Sequence, residues 1–202
     1  MGNTFNKRIF TPGLFLSDII FLLKKIPAII LLFRSKRISR AFAEKIMLAT
    51  TAVNECLLCA RFHSEMAFQS GVDRREVAAL LNMDLSGKTT EDDELNALLF
   101  AQHFAETNRN PSPEMRQRLF DYYGDKKGAD IILIIRLITF GNLSGNTFSA
   151  FQNRLKGIKA EKSSVIFEIF FVIFTAPLII PSLIYIKLKK NHFQFSKSVN
   201  QN

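Results

Sequence analysis

Residues 44–63, EKIMLATTAVNECLLCARFH, decide how this chain is to be read. Two helices are predicted across them, near 38–53 and 56–70, with a turn close to Asn54, because apolar residues recur at helical spacing and the alternation of a strand is scarce. Cys56 and Cys59 then stand at the start of the second helix, where unsatisfied backbone N–H groups stabilise a thiolate. Helical positions i and i+3 hold their Cα atoms roughly 5 to 6 Å apart, within what a disulfide tolerates, so the pair can close and reopen without refolding. His63 follows one turn after Cys59 on the same face, where an imidazole can relay a proton. If the two helices run antiparallel, Glu44 faces back toward the sulfurs as a candidate base.

Outward from this stretch the middle of the chain continues as helix after helix. Further helices are predicted near 73–82, 92–108, 112–123 and 126–153. The punctuation fits: Gly71 before Val72, a loop from Asn82 to Thr90, Thr90 and Asp93 as a capping pair, Pro111 and Pro113 at a helix start, and Gly124 after a pair of tyrosines. The expected fold class is all-α, and no internal repeat is visible.

Cys56 and Cys59 are the only cysteines among 202 residues. A chain of this length builds a sufficient core without staples, and a pair three residues apart closes too small a loop to act as a framework. Chemistry or metal binding is therefore favoured over stapling, in a reducing, cytoplasmic setting.

The net charge of +9 is unevenly spread. Residues 1–40 carry eight Lys and Arg against Asp18, and residues 156–202 carry seven Lys against Glu161 and Glu168, whereas the stretch between is slightly acidic. Because the basic ends are also the most apolar parts, their charges flank membrane-facing segments rather than track phosphates, and no nucleic-acid partner is expected.

Four divisions follow: an apolar, basic helical segment at 1–35, a helical domain at 36–157, an apolar segment at 158–190 and a polar, disordered tail at 191–202. Leu14 to Phe33 is interrupted by Asp18, Lys24, Lys25 and Pro27, which argues against a transmembrane span, and Asp18 argues against a secretory signal. Asn6 leaves Gly2 without a myristoylation motif. Ile169 to Ile186 holds eighteen uncharged residues between lysine clusters. As a helix it rises about 27 Å, near the ~30 Å of a hydrocarbon core, but Pro177 and Pro181 weaken a span. Spanning, lying at the membrane surface, and packing on the protein or a partner subunit all remain open, with membrane association through 169–186 favoured.

The spacing Glu44, eleven residues, Cys56, two residues, Cys59, three residues, His63 resembles the signature of the AhpD-like (alkylhydroperoxidase D) branch of the carboxymuconolactone decarboxylase family. The apolar LATTAVNEC run, the GVD turn at Gly71 to Asp73 and the late GNLSGNTFSAF stretch are similar too, and the resemblance covers about 36–157. It implies an AhpD-like helical bundle, homo-oligomeric, acting as a thiol-dependent peroxidase or disulfide oxidoreductase without a cofactor. On that pattern Cys59 is deprotonated through Glu44 and His63 and attacks a hydroperoxide, Cys56 resolves the sulfenic acid, and an external dithiol reduces the resulting disulfide. The sequence departs from some peroxidatic members at Leu58, where they carry a histidine. Decarboxylase chemistry is not expected, since the lactone-decarboxylating branch is not built on this cysteine pair.

Other readings of the same residues stay open: two cysteines buried as small hydrophobes, a membrane-associated redox sensor or non-catalytic scaffold, or a metal site of two Cys, His63 and Glu44. Of the last set, Cys56, Cys59 and His63 on one continuous helix are presented along a line rather than around a point. His103 is expected on a helix surface or at a subunit contact, and Glu55 and Glu65 in solvent.

Overall fold

A computed structural model describes residues 5–86, 92–161 and 163–188 of the chain. Among them are seven helices and no strand: α1 (Pro12–Ser35), α2 (Arg40–Asn54), α3 (Leu57–Gln69), α4 (Arg74–Leu81), α5 (Asp92–Glu106), α6 (Pro113–Arg154) and α7 (Val165–Leu188). The expected capping pair at Thr90 and the tail at 191–202 lie outside the described residues.

The helix starts follow from side-chain chemistry. Thr11, Ser39, Asp73 and Ser112 each accept a hydrogen bond from a backbone N–H of the first turn, satisfying donors that the helix itself leaves open. α2 ends at Glu55, whose φ of 55° turns the chain back on itself, so α3 returns along α2 as expected from the turn near Asn54. α6 is two helical pieces broken at Gly124 (φ 71°, ψ 167°), the glycine that follows the tyrosine pair; a residue with a Cβ is strained there.

α2 lies at the centre and touches α3, α4, α5 and α6. Its Phe42, Ile46, Leu48 and Ala49 join Leu98, Phe100, Ile131 and Ile135 in the main core. Lys45, beside that core, bridges Glu76 of α4 and Glu94 of α5, each at 2.7 Å. α6 is long and apolar enough to cross a membrane by composition, yet 67% of its most apolar window is buried inside the protein, so it serves as a core helix.

α1 and α7 pack on this bundle through buried acids. Asp18 of α1, 4% exposed, is held by Arg109 at 2.6 Å, with Arg136 at 3.8 Å. Glu168 of α7, fully buried, takes two hydrogen bonds from Arg154, at 2.7 and 2.8 Å. Between them Phe10, Phe15, Phe167 and Phe171 form a separate aromatic core, which uses four of the chain's twenty phenylalanines. α7 continues through Pro177 and Pro181 as a helix.

Ahead of α1, Lys7 donates to the Glu55 carbonyl and Arg8 to the carbonyls of Ala105 and Glu106. These cations cap the C-terminal ends of α2 and α5, where the last carbonyls lack helical partners. His103, half-buried, closes the connection that follows α5: its Nε2 accepts from the Ser112 N–H at 3.1 Å and fastens α5 to the start of α6.

Candidate active site

Cys56 is the N-cap of α3. Its Sγ accepts from the Cys59 N–H at 3.2 Å, so the first sulfur faces the open donors of the helix. The two sulfurs are joined as a disulfide, with Cα atoms 5.3 Å apart, within the separation expected of i and i+3 positions.

Packing then distinguishes the two cysteines. Cys56 is 1% exposed, while Cys59, at 8%, lines a cavity of about 270 Å³ together with His63, Leu58, Ile138, Ser144 and Thr175. Cys59 is thus the sulfur that a small molecule in the cavity meets. Leu58 gives that wall apolar surface where an imidazole would have been polar.

The imidazole of His63 is oriented from the neighbouring helix. Glu44 Oε2 lies 2.7 Å from His63 Nδ1, and both side chains are largely buried, at 9% and 15% exposure. An Nδ1–H donating to the carboxylate leaves Nε2 as the free nitrogen, the arrangement by which a carboxylate fixes a histidine tautomer. All four residues singled out in the sequence therefore gather at the junction of α2 and α3: Cys56 and Cys59 as a bonded pair, Glu44 and His63 as a hydrogen-bonded pair, with Cys59 and His63 sharing one cavity. Among the described residues no three His, Cys, Asp or Glu side chains converge to hold a metal ion.

α6 contributes residues that the sequence did not single out. Gly145 backs directly onto the disulfide: a Cβ there would lie 2.6 Å from Cys56 Sγ and 3.4 Å from Cys59 Sγ. Only a residue without a side chain lets the core helix approach the sulfurs this closely. One position earlier, Ser144 lines the cavity with its Oγ buried and without a hydrogen-bond partner. Thr51 donates to Asn142 Oδ1 at 3.0 Å and ties α2 to the same part of α6. The signal for this face was the run of small residues Gly141, Ser144 and Gly145 at helical spacing. A larger cavity, about 600 Å³, lies under the N-terminal segment, lined by Arg8, Asn54 and Arg109 among others. Arg8 and Arg109 are already engaged there as caps and ion pair.

Residues 30–102 match the family model described as the carboxymuconolactone decarboxylase family. The resemblance drawn from the four residues is thereby borne out at the level of the family, while the branch is left unspecified. The matched segment contains Glu44, Cys56, Cys59 and His63, and ends before the part of α6 that brings Ser144 and Gly145 to the sulfurs. No curated protein and no solved structure matches the chain.

Proposed function

We propose that the protein is a thiol-dependent peroxidase of the AhpD-like type, in which Cys59 attacks a hydroperoxide and Cys56 resolves the product. The observation that carries this reading is the division of labour at the pair: Cys59 lines the cavity beside His63, and Cys56 lies bonded behind it. A buried carboxylate 2.7 Å from the imidazole gives the proton a route away from the thiol.

The cycle balances with these residues. His63, oriented by Glu44, takes the Cys59 proton, and the thiolate attacks the terminal oxygen of the hydroperoxide. The O–O bond breaks, and the leaving alkoxide receives that proton and departs as an alcohol. Cys59 is now a sulfenic acid; Cys56 sulfur attacks it, the S–O bond breaks, and hydroxide leaves as water with the Cys56 proton. A dithiol then reduces the disulfide through a mixed disulfide and is itself oxidised. Ser144, with its unpartnered hydroxyl in the cavity, is the donor available to the hydroperoxide oxygens.

The test is peroxide consumption with a dithiol reductant. Wild type turns over, Cys59→Ser does not, and Cys56→Ser completes one oxidation and accumulates a sulfenic acid that dimedone traps. Equal rates for wild type and Cys59→Ser remove the proposal. A pair that cycles with small disulfides and leaves peroxide untouched makes the protein a disulfide oxidoreductase instead, the reading favoured by Leu58.

A further inference from the structure

α1 and α7 are built with their acids inward and large apolar side chains outward. On α1 the sole acid, Asp18, is drawn into the bundle by Arg109 and Arg136, while Leu16, Ile20, Leu23, Ile30 and Phe33 stay exposed. On α7 the sole acid, Glu168, is buried against Arg154, while Ile166, Ile169, Phe170 and Ile173 face out. An amphipathic helix on a protein surrounded by water is built the other way round. The two helices are neighbours, since Phe15 of α1 packs against Phe167, Phe171 and Phe174 of α7 on their inner side.

We infer that the outer faces of α1 and α7 together form one membrane-docking surface, suited to a bilayer with anionic headgroups. Charge selects this occupant over a second copy of the chain. With Asp18 and Glu168 withdrawn, the charges α1 shows to its surroundings are Lys24, Lys25 and Arg34, and Lys36 follows at its end. Such a surface is attracted to anionic lipid, where lysine stems lie along the apolar boundary with their ammonium groups among the headgroups. Two copies facing each other would oppose like charges. The surface reaches beyond the apolar 169–186 segment, because α1 has no uncharged run of spanning length yet presents a continuous apolar stripe.

Docking also gives the Cys59 cavity a setting. Thr175 of α7 lines that cavity, so its wall is shared with a helix whose other side meets lipid. The substrate class that follows is a hydroperoxide carried on an acyl chain; that assignment rests on the thiol reading, whereas docking does not.

The full-length protein is sedimented with phosphatidylcholine vesicles, with and without phosphatidylglycerol. Wild type is expected to partition roughly tenfold or more in favour of the anionic vesicles. Lys24→Gln with Lys25→Gln removes most of that preference, and Leu16→Ser with Leu23→Ser and Ile30→Ser lowers binding to both vesicles by about a hundredfold or more. Turnover of a water-soluble hydroperoxide, where wild type shows it, and helical circular dichroism stay unchanged in both variants. Unchanged binding by the triple variant overturns the inference, as does a wild type that ignores vesicles and forms a dimer dissolved by the triple substitution. If the triple variant loses its helical signal, the lysine pair decides alone: an undiminished anionic preference overturns it.

Discussion

His63 Nδ1 sits 2.7 Å from Glu44 Oε2, so the imidazole one turn beyond Cys59 is oriented by a carboxylate on a different helix. The proton route thus depends on α2 and α3 keeping their relative position. Glu44→Gln preserves the size of the side chain but removes its charge and allows the wrong tautomer. Reaction of reduced Cys59 with hydroperoxide should slow by about a hundredfold or more, measured by stopped flow, while the helical signal stays unchanged. An unaltered rate would exclude Glu44 from the mechanism.

Ser144 offers a sharper separation of chemistry from stability. Its buried hydroxyl has no partner, and such a group is a cost to the folded state of about 1–3 kcal/mol. Ser144→Ala should raise the melting temperature or leave it unchanged, while kcat/KM for hydroperoxide falls about tenfold through loss of one neutral hydrogen bond. A fall in both quantities would identify the serine as structural.

At Gly145 the close contact concerns the oxidised pair. Gly145→Ala places a methyl group 2.6 Å from Cys56 Sγ, and overpacking of this kind costs about 1–3 kcal/mol. A reduced Cys56 can turn away, but a bonded one cannot. The variant should therefore be destabilised more when oxidised, and its disulfide should be easier to reduce. Equilibration against dithiothreitol reads this directly; an unchanged potential would contradict it.

The buried ion pair of α7 predicts non-additive substitutions. Arg154→Leu leaves Glu168 uncompensated in the interior and should cost about 3–5 kcal/mol in urea unfolding. Arg154→Leu combined with Glu168→Leu should recover most of that loss, since two apolar side chains replace the pair. If the losses simply add, the pair is not coupled as the geometry requires.

Lys45 links stability to alkaline pH. Burial works against its ammonium, but the hydrogen bonds it donates to Glu76 and Glu94 outweigh that and raise its pKa above the ordinary 10.5. A group whose folded pKa is raised contributes stability that is fully present below its unfolded value and is lost as pH rises through the folded one. Wild type should accordingly lose this contribution only above about pH 10.5, and Lys45→Met should show a flatter stability profile there. Chemical unfolding at several alkaline pH values distinguishes the two.

The helices of the middle region were legible in the sequence because each has local causes: an apolar period, a capping Ser or Asp, a glycine where the chain must turn. Gly124 illustrates this, since its place after Tyr122 and Tyr123 already marked the break that the positive φ provides. The four site residues were legible for a related reason. Cys56, Cys59 and His63 lie on one helix, whose periodicity fixes their spacing, and Glu44 lies only one turn of chain away.

What lay beyond local causes could not be read in the same way. Asp18 looked like an interruption in an apolar run; its partners Arg109 and Arg136 lie 91 and 118 residues further on. Gly145 and Ser144 reach the sulfurs only because α6 crosses α3, a contact set by core packing and not by any pattern within either helix. By itself the sequence determined the helices and the spacing of the thiol, imidazole and carboxylate groups. Tertiary structure decided which cysteine faces the cavity, what closes in behind the disulfide, and that the acids of α1 and α7 turn inward. The physical reason is range: periodicity and capping act within a few residues, whereas burial and charge pairing act between any side chains that packing brings together.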